Sequence, residues 1–204
     1  MGKEHYFENR SDAGQQLAKT ESLMAYKDTQ ALVLALPRGG VEVGWEIAKE
    51  LGLPLTVIIA RKVGAPWNEE FGVAAVSEED VVVLNQKISN TFIKKQQDEV
   101  TRRVQLYRGG LPLPDLTSSI AILVDDGIAT GLTVRAAIGS LRKLKAQKVV
   151  LATPVCSGLV EGDLKAMVDE FVCLIIAWDM NAVGEYYKHF DQLTDKQVLE
   201  YLKS

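Results

Sequence analysis

Two adjacent carboxylates, Asp125 and Asp126, stand directly after the apolar run Ile122-Leu123-Val124 and before a small-residue turn, Gly127-Ile128-Ala129-Thr130-Gly131-Leu132-Thr133. Vicinal carboxylates repel each other, and burying both without a ligand is costly. A sugar diol, or a metal held by it, would stabilise both charges. The plainer alternative is one exposed Asp beside one helix-capping Asp. In the turn itself, small residues admit an anion close to the backbone. Successive N–H groups and a helix N-terminus favour a phosphate there, and Thr130 and Thr133 add hydroxyl donors. The turn is not the nucleotide P-loop, because no Lys follows Gly131, and it is not the dinucleotide fingerprint. Acid pair and anion nest together fit a ribose 5-phosphate.

A second anion candidate is Pro37-Arg38-Gly39-Gly40, where Arg38 can grip a phosphate with two parallel hydrogen bonds and the glycines allow unusual backbone angles. Arg61-Lys62 also sits at a predicted strand end, as an anion contact or as a solvated basic pair. Trp67, in a turn-rich segment, reads equally as a lid residue or as local core. Trp178, Tyr186, Tyr187 and Phe190 could stack on a planar base or pack as a cap on the sheet edge. His5 and His189 are isolated and receive no catalytic role. Cys156 and Cys173 read as buried reduced thiols, with neither metal-ligand nor disulfide spacing.

These residues need elements to position them. Ala31–Leu36, Leu55–Ala60, Ile120–Val124, Lys148–Thr153 and Phe171–Ala177 are apolar runs of the kind found in strands buried on both faces. Helical patterns follow at Val43–Leu51, Thr133–Leu144 and near Leu159–Val168, with others at Asp12–Met24 (capped by Ser11 or Asp12), Ile88–Leu106 and about Asp195–Leu202. Gly72–Val76 and Val81–Leu84 suggest a hairpin. The alternation predicts an α/β fold: a mostly parallel five-stranded sheet with helices on both faces, plus a small hood and a helical insertion. In such sheets ligands sit beyond the C-terminal strand ends, at a switch point. The Arg38 and Asp125 turns can face each other there.

The chain has 204 residues, 47% hydrophobic and 25% charged, with a net charge of −4. That length suggests a single domain with a well-buried core. An acidic pI near 5.3 points away from nucleic acid and from acidic membranes. No apolar run approaches the ~20 residues of a membrane span. Met1–Tyr6 lacks the apolar core of a signal peptide, so the expectation is a cytoplasmic protein.

Ile122–Thr133 resembles the phosphoribosyl-pyrophosphate-binding signature of the type I phosphoribosyltransferases. Leu36-Pro37-Arg38-Gly39-Gly40 resembles their pyrophosphate loop, which often holds a cis peptide, and Arg61-Lys62-Val63-Gly64 resembles a segment of adenine-type members. The whole is similar to a bacterial group of uncharacterised predicted phosphoribosyltransferases, which shares Ala182-Val183-Gly184-Glu185-Tyr186-Tyr187 as well. The resemblance implies one domain over 1–204, with its core at about 30–180, an insertion at about 85–117 and a hood from about 178 with the N-terminal segment. It implies that Gly127, Ile128, Ala129, Thr130, Gly131 and Thr133 hold the 5-phosphate. Asp125 and Asp126 would bind the ribose hydroxyls, directly or through Mg²⁺. Pro37, Arg38, Gly39, Gly40, Arg61 and Lys62 would hold the pyrophosphate. Residues from about Val63 to Leu84 would form a mobile lid, and Trp178, Tyr186 and Tyr187 would face the base.

The implied reaction is Mg²⁺-dependent transfer of ribose 5-phosphate from phosphoribosyl pyrophosphate to a small nitrogenous acceptor, in a homodimer. Asp125, Asp126 and Arg38 would carry the chemistry. Ala129 stands where hypoxanthine-guanine members place an Asp that assists the purine, so the acceptor is open. The competing reading is a non-catalytic sensor of the same ligand, acting on a protein partner.

Overall fold

Residues Tyr6–Lys203 are described in the computed structural model, except for the side chains of Glu69 and Glu70. His5 and the reading of Met1–Tyr6 as a leaderless N-terminus therefore fall at least partly outside the described residues. The elements in order are α1 (Arg10–Ala18), α2 (Glu21–Met24), β1 (Ala31–Ala35), α3 (Gly39–Leu51), β2 (Leu55–Val57), β3 (Ala60–Ala65), β4 (Asn68–Ser77) and β5 (Val81–Leu84). Then follow α4 (Asn90–Arg108), β6 (Ile120–Val124), α5 (Leu132–Lys143), β7 (Lys148–Ser157), α6 (Gly158–Met167), β8 (Glu170–Ala177), a 3-10 turn at Val183–Tyr186, and α7 (Asp195–Tyr201).

The apolar runs pair because each has two faces to bury. All five residues of β1 are buried. Leu32 and Leu34 point into one cluster with α5 side chains such as Ile138 and Leu141, whereas Ala31 and Val33 point into another with Leu17, Val43 and Ile47. Ala121 and Leu123 of β6 alternate with Ile122 and Val124 in the same way. The result is a parallel sheet of order β2-β1-β6-β7-β8, with helices on both faces. From β1 the chain leaves toward β2, and from β6 it leaves toward β7. The switch point therefore lies between β1 and β6, as expected from the sequence.

Four expectations are corrected. The first predicted helix breaks in two, with Asn9 rather than Ser11 or Asp12 capping α1 through its side chain. The predicted strand Leu55–Ala60 ends at Val57. Its continuation, β3, belongs to a separate antiparallel sheet of order β3-β4-β5. Arg61-Lys62 accordingly lies on that small sheet and not at the end of a core strand. The segment Val63–Leu84 is largely paired in strands: Val63, Ala65 and Val73–Val76 are buried, while Trp67 at the β3–β4 turn is 74% exposed and Phe71, Val82 and Leu84 are open on β4 and β5. Trp67 is therefore not local core.

The insertion is the 19-residue helix α4, which lays Val100 and Tyr107 against Val57, Ile59 and Val76. Its last residue, Arg108, forms a buried ion pair with Glu78 and donates to Val57 O at 2.9 Å, and Glu78 also accepts from Ile59 N–H at 2.8 Å. One charge pair thus joins the insertion, the small sheet and the core. Removing one partner of a buried pair strands the other charge. Arg108→Ala should lower stability by about 3 kcal/mol in urea unfolding. Arg102→Ala, removing an exposed pair on the same helix, should leave the unfolding midpoint almost unchanged.

Candidate functional site

At the end of β1 the chain turns through Pro37-Arg38, whose peptide bond is cis, straight into α3. At the end of β6 it turns through Asp125-Asp126. Leu36 N–H bonds to Val124 O at 2.9 Å, so the two turns leave the sheet side by side. Gly39 and Gly40 have no positive φ, so the freedom of backbone angle expected of them is not what the fold uses. They permit contact instead. A Cβ on Gly39 would lie 1.8 Å from Asp126 Oδ2, and one on Gly40 would lie 2.8 Å from Val124 O and 3.1 Å from Asp125 Cα. The first turn of α3 rests directly on the acid pair.

The two carboxylates have different surroundings. Asp125 accepts from Asp126 N–H at 3.0 Å. Burial, and then the charge of Asp126, push its carboxyl well above the usual carboxylate range. Asp126 instead meets Arg10, whose Nε donates to Oδ2 at 2.7 Å with both side chains largely buried. Arg10 also donates to Asp191 O at 2.6 Å and lies 3.8 Å above the Phe190 ring. Tyr187 Oη donates to Asp126 O. Three segments far apart in sequence, at Arg10, Gly39 and Tyr187, converge on this one aspartate.

Beyond the acids, Ile128 anchors the turn. It is 2% exposed, donates to Val155 O at 2.9 Å and accepts from Ser157 N–H at 2.8 Å. Gly131 takes φ +70 as the N-cap of α5, and no side chain caps that helix. Its first N–H groups are thus not taken by a cap side chain, which suits an anion. Thr130 is exposed and Thr133 half-buried beside them. Ala129, between the anchor and the cap, offers no group to exchange a proton.

Arg38 turns away from the acids, toward Gln192 Oε1 at 3.3 Å and Asp195 Oδ1 at 3.7 Å. Arg61 is half-buried and donates to Gln96 Oε1 at 3.2 Å. Its pKa is lowered by burial and then by the like charges of Arg103 and Arg38, so Arg38 and Arg61 belong to one cationic region although one caps α3 and the other lies on the small sheet.

The hood differs from the expectation. Tyr187 is 2% exposed and Tyr186 is 8%, stacked on Tyr6 at 5.6 Å. Neither offers a face to a base. Tyr187 and Phe190 stack at 4.8 Å and cover the Arg10–Asp126 pair. Trp178 is 71% exposed and lies against Gly158, where a Cβ would meet its ring at 2.6 Å. The two cysteines are free, as expected, and burial pushes each thiol up to about 12.

A family model described as phosphoribosyl transferase domain matches residues 7–189, most of this chain. The chain belongs to the phosphoribosyl transferase family. A curated Mycobacterium tuberculosis (strain ATCC 25618 / H37Rv) protein, "Putative phosphoribosyl transferase Rv0571c", is 39% identical over 206 residues. That match covers 96% of this chain and 46% of the relative, so the chain spans about half the length of the curated relatives it matches. The crystal structure of TT1426 from Thermus thermophilus superposes with a TM-score of 0.79 at 37% identity, covering 96% of this chain and 97% of that one. The α/β phosphoribosyl transferase fold read from the sequence is thereby shown, with the small antiparallel sheet added to it.

Sequence reasoning missed Arg10. A signal was present: Arg10 shares one helical stripe with the buried Ala13, Gly14 and Leu17, and a cation on an apolar stripe needs a buried partner. Arg10→Ala should cost about 3–5 kcal/mol in urea unfolding, because Asp126 is left buried and unpaired. Arg10→Lys should recover only part of that, lacking the planar fork and ring stacking. Asp125→Asn should act the other way. Its folded pKa lies above the unfolded value, so stability is lost progressively as the pH rises from the unfolded carboxylate pKa to the folded one, and the full penalty is present above that. The unliganded variant should melt about 2–4 °C higher, equivalent to about 1 kcal/mol.

Proposed function

We propose that this chain transfers ribose 5-phosphate from phosphoribosyl pyrophosphate to a small nitrogenous acceptor, releasing pyrophosphate. The observation that carries this reading is the contact of Gly39 and Gly40 with Asp126 and Asp125. It joins a cationic loop, an acid pair and an uncapped helix N-terminus in one crevice, in the order that the phosphates and diol of such a donor require. In this reading the backbone and hydroxyls from Gly127 to Thr133 hold the 5-phosphate, and the two aspartates accept from the ribose hydroxyls. Pro37–Gly40, with Arg61 and Lys62, face the pyrophosphate.

The donor set suits Mg²⁺. Among the described residues no group of three Asp, Glu, His or Cys forms a full cage. One or two carboxylates, completed by water and substrate phosphates, are the usual protein share for this ion. Asp125 and Asp126 would hold it indirectly, through ribose or water, and when bound it neutralises the leaving group. The chain's own part is electrostatic and positional. As the C1–oxygen bond breaks and a C1–nitrogen bond forms, the electron pair goes to pyrophosphate, and Arg38 is placed to turn toward that charge. The exposed turn bearing Trp67 can shield the activated sugar from water.

The test is pyrophosphate release from phosphoribosyl pyrophosphate and Mg²⁺ with a panel of nucleobases and related nitrogen heterocycles. Turnover on at least one acceptor is expected. Tight donor binding without turnover on any would favour the sensor reading. The double variant Asp125→Asn with Asp126→Asn should weaken ribose 5-phosphate binding at least about tenfold, since each hydrogen bond to a charged group contributes about 1.5–3 kcal/mol. Wild-type affinity in that variant would refute the site.

A further inference from the structure

A cavity of about 720 Å³ opens between β3 and the insertion helix α4, away from the acid pair. Its size is within the range of small-molecule sites, about 300–1,000 Å³. One wall is Arg61 to Pro66, and the other is a single stripe of α4: Phe92, Lys95, Gln96, Glu99 and Arg102. Those positions recur at three- and four-residue spacing, so they share one helix face. The neighbouring face, with Ile93, Val100, Val104 and Tyr107, is the one that packs on the protein. The cavity-lining stripe is therefore not required for docking the helix.

Its charges do not cancel. Glu99 is bonded by both Arg102 and Arg103, which hold its carboxyl at about 2, and Asp98 is taken by Lys94 at 2.7 Å. Arg61 bonds a neutral amide, and Lys95 has no ion pair among the described residues. Two cations are thus left without a carboxylate, one of them half-buried. Phe92 also lines the cavity and keeps 37% of its surface open, one helical turn from Lys95 and from Gln96, the partner of Arg61. Cations beside an open aromatic side chain suit an anion carrying a flat ring. A pyrophosphate alone has no use for the ring.

We propose that this cavity binds a nucleotide, its phosphates on Arg61, Lys95 and Arg102 and its base against Phe92. The cavity shares Arg61 and Lys62 with the pyrophosphate end proposed for the donor, but its lining includes neither the acid pair nor the Gly127–Thr133 turn. Phe92, Lys95 and Arg102 have no part in the proposed transfer, so the two readings can fail independently.

Isothermal titration of the full chain, in low salt without Mg²⁺, would use four nucleoside triphosphates (adenosine, guanosine, uridine and cytidine) and inorganic tripolyphosphate as the ring-free probe. At least one nucleoside triphosphate should bind about tenfold more tightly than tripolyphosphate. Lys95→Glu should weaken both classes at least about fivefold. Phe92→Ala should remove only the nucleoside advantage. Lys27→Glu, a charge reversal on an exposed side chain outside the cavity lining, should change neither. Ribose 5-phosphate binding should be the same in all variants. Equal binding of tripolyphosphate and every nucleotide, no effect of Lys95→Glu, or no binding at all would each overturn the proposal. Loss of ribose 5-phosphate binding by the wild-type chain would instead strike the donor reading.

Discussion

A single buried ion pair, Arg10 with Asp126, is the constraint around which the crevice is assembled. A carboxylate that deep in the molecule needs a partner, and the partner comes from the first helix. The guanidinium needs cover in turn, which the Phe190 ring and Asp191 carbonyl supply. Gly39 must lack a side chain because Asp126 Oδ2 occupies that space. Each of these choices follows from the one before it. The pair is also an orienting device: it fixes one oxygen of Asp126, and Tyr187 fixes its backbone carbonyl, so the neighbouring Asp125 is presented in a defined direction.

That presentation comes at the expense of stability. Asp125 is held where burial and a like charge both oppose its ionised form. Groups kept in unfavourable surroundings are a common mark of sites that wait for a ligand. The helix α5, starting without a side-chain cap beside them, has the same character: its N-terminal dipole is left open to an anion. Acid pair and helix start are complementary halves, one seeking hydroxyls or a cation and the other a phosphate.

Much of this was legible before any coordinates. Periodicity located the five core strands because each is apolar on both faces, and the acid pair and glycine turns stood out as local signals. What escaped was non-local. Nothing near Leu55–Ala60 announces that the chain leaves one sheet at Val57 and joins another at Ala60, since both stretches are apolar. Tyr186 and Tyr187 looked like ring-stacking candidates, but whether an aromatic faces a ligand or a neighbour depends on Tyr6 and Phe7, some 180 positions earlier. The roles of Gly39 and Gly40 were misjudged for a similar reason: the sequence suggests angular freedom, whereas the fold uses their lack of volume against residues from β6.

The spread of the Arg10 contacts along the chain also has a biosynthetic meaning. The cation is made 116 residues before Asp126, and its carbonyl and aromatic cover only at Phe190 and Asp191. At typical elongation rates of about 5–20 residues per second, Arg10 waits about 10–40 s for its last partner. During that interval the nascent chain carries an uncovered Arg on the apolar face of α1. The core strands can pair before then, but the crevice closes only once Phe190 and Asp191 have been made.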